Sequence, residues 1–205
     1  LHRRRHSFPT RRSSDLSVHY SRECGAAPAV ITSMPSPLRL TPGEMYALAV
    51  FCILEGDNTL SNTHEQLKVA AVVVNRMNAS NWTREFGTGL LNQIFARGQF
   101  EVQTRFGLDR EDFDSFEEAA QALTDSKPGL SLAWSRERII TFMRAASNTT
   151  QYGAAARDVG DSTGFRGSGG VNTYRRESRY DDANIGSRQP SSIEVAWPGG
   201  RNPIY

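Results

Sequence analysis

An α+β fold is what this chain predicts, and three observations carry the expectation. Five stretches between residues 41 and 146 show the i, i+3, i+4 apolar spacing of amphipathic helices. Nine of the seventeen glycines fall in residues 151–205, a density that signals loops and turns. The closing stretch SSIEVAWPGGRNPIY reads as two short strands around a Pro-Gly-Gly turn.

The ends of the chain come first. Residues 6–16, HSFPTRRSSDL, match the in-frame translation of a widely used sequencing adaptor, so residues 1–16 are read as an artefact and set aside. The true N-terminus, with any signal peptide, is then expected to be missing, which leaves localisation open. Residues 17–40, with AAPAV and SMPSPL, carry the Pro and Ser punctuation of a disordered linker, and 41–205 reads as a single domain. Residues 1–16 hold five Arg and one Asp, so 24 basic and 22 acidic residues become 19 and 21 and the formal charge moves from +2 to −2. That removes the basic excess expected of a nucleic-acid binder. No run approaches the roughly 18 apolar residues of a membrane span. The two cysteines, Cys24 and Cys52, make no disulfide framework, and Cys52, inside an apolar helix, reads as buried and inert. A monomer without cofactor or metal is expected.

The helical body opens at Thr41. In TPGEMYALAVFCILEG, Thr41 stands as N-cap, Pro42 takes the first helical position, Glu44 completes a capping box, and Gly56 supplies the stop. A second helix begins near Thr63, with Gln66 completing another box and Leu67, Ala70, Ala71, Val74 and Met77 forming a buried face. GLLNQIFARG reads as a short helix closed by Gly98, and QFEVQTRFG as extended chain or loop. DSFEEAAQAL and WSRERIITFMRAA are two further amphipathic helices. GDSTGFRGSGG reads as a glycine-rich loop over a cleft.

One acid breaks the pattern. On a helix of 3.6 residues per turn, Glu55 shares a face with Leu48, Phe51 and Cys52, so it points toward the apolar layer. Burial and the negative end of the helix both disfavour its ionised form, which is the condition of a general acid in glycosidic cleavage. A glutamate in the last turn before a glycine can equally bend out to solvent.

The surrounding residues resemble a known family. ILEGDNTLSNTHEQLKVAAVVVNRM followed by LLNQIFARGQF is similar to the catalytic domain of the spore cortex-lytic, SleB-type, cell wall hydrolases. That family has a Glu at a helix end, then a helix with an AVA-VVLNR-type run, then Gln-Phe after a short helix; here these are Glu55, KVAAVVVNR and Gln99-Phe100. The ending IEVAWPGGRNPIY is similar to its closing strand. The resemblance covers residues 44–100 well and 151–205 poorly. It implies a lysozyme-like α+β domain that cuts peptidoglycan glycan strands, as a lytic transglycosylase or N-acetylmuramoyl glycosidase, on a cell wall or from a virion. Glu55 maps onto the family's catalytic acid. In a transglycosylase one carboxyl group protonates the leaving oxygen and then takes the proton of the sugar's own 6-hydroxyl, so a second carboxylate is not obligatory. The family's EARGE reads EGDNT here, with Thr59 where a second acid is expected and Asp57 two residues after Glu55. STGFRGSGG keeps Phe165 and lacks the family's His.

The expected cleft joins Glu55, Gln99, Phe100 and the loop around Phe165, with Asp57 holding substrate or water and Tyr174 or Tyr180 either stacking on a sugar or lying in a solvated loop. Asn75 and Arg76 end the second helix, where capping, ion pairing and substrate contact are all open. Two other motifs lead nowhere. HEQLK has Lys68 where the second ligand of a zinc protease helix would stand, and GFRGSGG lacks the lysine of a phosphate-binding loop. Two classes of function remain: a glycan-cleaving enzyme with Glu55 as its acid, and a catalytically silent wall-binding or virion structural module of the same fold.

Overall fold

A computed structural model describes residues 35–57, 59–96, 99–100, 102–168, 171–177 and 184–204. The expectations for residues 1–34, Cys24, Gly98 and Tyr180 lie outside these. The described residues belong to one compact unit spanning Met34–Tyr205, and its architecture mixes helix with short strands.

Helix α1 (Pro42–Gly56) is the centre of the core. Its capping box forms as the spacing predicts: the Thr41 N–H donates to Glu44 Oε2 at 2.9 Å, and the Glu44 N–H donates to Thr41 Oγ1 at 3.3 Å. Every residue from Met45 to Leu54 is buried, because α2 (Thr63–Asn78), α4 (Leu90–Ile94), α6 (Phe116–Ser126) and α7 (Leu132–Ser147) pack around it. At about 1.5–3 kcal/mol for each large apolar side chain, that burial dominates the stability of the unit.

Gly56 does something other than stop this helix. The helix runs through it, and Asp57 is the extended C-cap. A Cβ on Gly56 would lie 2.8 Å from Gln66 Cγ and 3.0 Å from Gln66 Cα, so the glycine lets α2 cross close to the end of α1. The cap of α2 also differs from the expected box. Asn62 is the N-cap, accepting from the Glu65 N–H, while Gln66 is fully buried and donates to the Leu60 carbonyl at 3.1 Å.

Three helices escaped the sequence reading: α3 (Ser80–Phe86), α5 (Val102–Phe106) and α8 (Thr149–Val159). The segment QFEVQTRFG, expected to be extended, holds α5. Helix α8 was hidden by its glycine, although Tyr152, Ala155, Ala156 and Val159 keep helical spacing on their buried face and Asn148 caps it through bonds from the Thr150 and Gln151 N–H groups.

The strands bring further corrections. Residues 38–40, expected to be linker, form β1 (Leu38–Leu40), which pairs in parallel with β4 (Ile193–Val195). Burial of Leu40 and Ile193 in the core draws these segments together, and the Leu38 N–H donates to the Ser192 carbonyl at 2.8 Å. Because β4 takes β1 as its partner, the Pro-Gly-Gly stretch is no hairpin; it makes one 3-10 turn, Pro198–Gly200, with Gly199 and Gly200 at positive φ. The glycine-rich loop is also corrected. Residues 164–168 are β2 (Gly164–Ser168), paired antiparallel with β3 (Val171–Arg175), since Phe165 opposes Tyr174 and both turn their rings toward the core. Among the described residues no helix is long and apolar enough to cross a membrane.

Candidate functional site

The hairpin β2–β3 is docked onto the end of α1 by the Asn172 amide. Asn172 Nδ2 donates to the carbonyls of Glu55 and Gly56, both at 3.0 Å, and so satisfies acceptors that a helix end leaves open. On the same face, the Tyr174 hydroxyl donates to Glu65 Oε2 at 2.9 Å on α2. Burial, and after it the Glu65 charge, push the Tyr174 phenol well above its ordinary value. An aromatic row continues the contact: Phe51 meets Phe100 edge-on at 4.6 Å, Phe100 stacks on Phe165 at 5.8 Å, and Phe165 lies 6.1 Å from Tyr174.

Between the end of α1 and this hairpin opens a polar cleft of about 600 Å³, lined by Glu55, Arg76, Gln99, Phe100, Phe165, Arg166, Gly167, Arg175 and Glu177. Glu55, Gln99, Phe100 and Phe165 are thus brought together. Glu55 is half-buried and its Oε1 is shielded from solvent. Its charge is felt one turn back: burial first, then Glu55, push the Cys52 thiol up.

Asp57 and Tyr174 are not in that cleft. Asp57 serves the turn between α1 and α2, where Oδ2 accepts from Thr59 Oγ1 at 2.6 Å and from the Asn62 N–H at 3.1 Å. Its charge also supports Arg138, whose guanidinium is lowered by burial and partly held up by Asp57. Thr59, where a second acid was expected, shares this network through Ser61 Oγ at 2.8 Å. Tyr174 is part of β3, with its ring packed against the core rather than in a solvated loop. His64 is exposed and bonds Asp158 Oδ2 at 2.8 Å, in keeping with its position in the first turn of α2.

Arg166, Arg175 and Glu177 are cleft residues that sequence reasoning missed, and Arg76, whose role it left open, joins them. The Arg76 guanidinium is almost fully buried between the rings of Trp82, at 4.2 Å, and Phe100, at 4.1 Å, and its Nε donates to the Thr163 carbonyl at 2.6 Å. Such desolvated cation–π contacts are worth about 2 kcal/mol. The Asn75 side chain, one residue earlier, donates to the carbonyls of Gly160 and Ser162, both at 2.8 Å. Together they bolt the end of α2 to the strand entry. The available signal was alternation: Phe165, then Asn172 and Tyr174, lie on one face of two short runs flanking GSGG.

A second groove, of about 630 Å³, lies at the other end of α1 beside Tyr46, Phe116 and Trp197. It is mainly apolar, and its Glu117 is exposed and paired with Arg136, so it offers no shielded acid.

No family model, curated protein or solved structure matches this chain. What the cleft can do follows from its own side chains. A shielded carboxyl at a helix end, apolar ring edges, an amide and several guanidinium groups suit a polar, ring-shaped substrate carrying oxygen acceptors.

Proposed function

We propose that the domain cleaves the glycan strands of peptidoglycan, with Glu55 as general acid and base in a lysozyme-like arrangement. One observation carries the proposal: Glu55, the acid that the spacing singled out, has Oε1 shielded while the residue lines a polar cleft together with Gln99, Phe100 and Phe165. Low dielectric favours the uncharged form of a carboxyl group, which is the form that protonates a leaving glycosidic oxygen. The ring edges of Phe100 and Phe165 offer apolar contact to a sugar face, and the Gln99 amide can bond a hydroxyl or acetamido group. The wall outside the cytoplasm, or its degradation from a virion, is the setting this chemistry requires, and the domain acts as a monomer.

The silent-module reading is favoured by two features, the absence of an acid at Thr59, whose hydroxyl is occupied by Asp57 and Ser61, and the absence near Phe165 of the His that the resembled family carries. Zymography on a peptidoglycan gel separates the two. The parent chain should clear the gel, and Glu55→Gln, which keeps the shape and removes the transferable proton, should lower cleavage at least ~10²-fold. Binding to peptidoglycan without clearing would favour the silent module. Equal clearing by parent and variant would leave Glu55 as a helix-end glutamate.

A further inference from the structure

We infer that Glu177 is the second carboxylate of the reaction, taking a proton from an attacking water, so that the domain hydrolyses the glycosidic bond instead of closing a 1,6-anhydro ring. The inference rests on the glycan-cleaving reading of Glu55.

Glu177 and Glu55 line one cleft from different elements, the segment after β3 and the end of α1. Glu177 is held at its backbone, and its side chain packs beside a glycine. Its N–H donates to Oγ1 of the buried Thr163 at 3.2 Å. Its carboxyl lies against Gly164, where a Cβ would come 2.6 Å from Oε1 and 3.2 Å from Cγ, so only a glycine at 164 leaves that carboxyl where it is. Thr163 also donates its own N–H to the Arg175 carbonyl at 3.1 Å and accepts from Arg76 Nε. One buried residue therefore ties the Glu177 backbone and the stacked Arg76 guanidinium to the same wall of the cleft.

The surroundings suit a water. A polar cleft of about 600 Å³ has room for solvent beside a sugar ring, since one water takes roughly 30 Å³ of liquid volume. Ring closure by the sugar's own hydroxyl needs no base beyond the acid and gains nothing from a second carboxylate. Asp57, the other carboxylate near Glu55 in sequence, has Oδ2 engaged in the turn and does not line the cleft. The Arg175 Nη2 contact to Glu177 Oε1, at 3.8 Å between partly exposed groups, leaves the carboxylate able to accept from water.

Glu55 gives its proton to the glycosidic oxygen as the bond from that oxygen to the anomeric carbon breaks. The water oxygen bonds the anomeric carbon, and its proton passes to Glu177. The products are a reducing-end sugar and a free 4-hydroxyl. Solvent then carries the proton from Glu177 back to Glu55.

The experiment is digestion of purified peptidoglycan by the whole chain in water labelled with oxygen-18, with the muropeptides read by mass. Each new end should be reducing and carry one labelled oxygen. Glu177→Gln should lower formation of those ends ~10²-fold, the scale for losing a general base. Glu177→Ala should regain turnover with azide and yield a glycosyl azide, a product that a merely structural role does not explain. Unlabelled 1,6-anhydro ends from the parent, or full reducing-end formation by Glu177→Gln, overturn the assignment and leave Glu55 as the acid. A parent chain that cleaves nothing takes both readings down.

Discussion

Gly56→Ala sets two effects of opposite sign against each other. Inside a helix, alanine is favoured over glycine by about 1 kcal/mol, so propensity alone predicts a more stable protein. The new Cβ, however, would lie 2.8 Å from Gln66 Cγ and 3.0 Å from Gln66 Cα. Gln66 cannot swing aside, because it is fully buried, with Nε2 on the Leu60 carbonyl at 3.1 Å and Oε1 accepting from Arg138 Nη2 at 3.0 Å. Overpacking of this kind costs typically about 1–3 kcal/mol and here involves backbone, so the upper part of that range applies. The net expectation is a loss of roughly 1–2 kcal/mol, or about 2–8 °C in Tm for a unit of this size. Gly153→Ala in α8 is the matched control, since its Cβ would meet only the mobile end of Arg157, at 3.5 Å. There propensity acts alone, and Tm should rise by about 2–4 °C. Thermal unfolding followed by circular dichroism measures both. A Gly56→Ala protein more stable than the parent would refute the close crossing of α1 and α2.

Two further perturbations probe the docked hairpin and the buried phenols. Asn172→Ala removes the donor to the Glu55 and Gly56 carbonyls and should cost roughly 1–3 kcal/mol while lowering glycan cleavage by the still-folded protein. Unchanged cleavage would detach the hairpin from the site. The Tyr152 phenol is raised by burial and then by the Cys52 charge, and Tyr174 by burial and then by Glu65. Raised folded values mean that their contribution to stability is complete below the ordinary phenol value of 10.0 and is lost as pH rises beyond it. The urea midpoint should therefore fall between about pH 9 and pH 11, and a flat profile across that interval would contradict the burial of these hydroxyls.

What could be read from the sequence was what local contacts decide. The capping box of Thr41 and Glu44 spans three residues and forms as written. The alignment of Glu55 with Phe51 and Cys52 follows from helical pitch alone, and the apolar face of α2 from the same period. Helix α8 was legible in the spacing of Tyr152, Ala155, Ala156 and Val159, but the glycine inside it masked the period. Tertiary structure alone decided the rest, because the partners lie far apart in the chain and their meeting depends on which buried surfaces find each other. Residues 38–40 look like linker until Ile193 supplies a strand beside them. GFRGSGG looks like loop until Phe165 and Tyr174 share a core face. Gly56 reads as a helix stop, and only the approach of Gln66 reveals that it is a spacer. The places of Asp57 and Glu177 were decided in the same way. Asp57, close to Glu55 in sequence, is bound into the turn by the Asn62 N–H, whereas Glu177 lines the cleft with its backbone bonded to Thr163, a contact that no local pattern encodes.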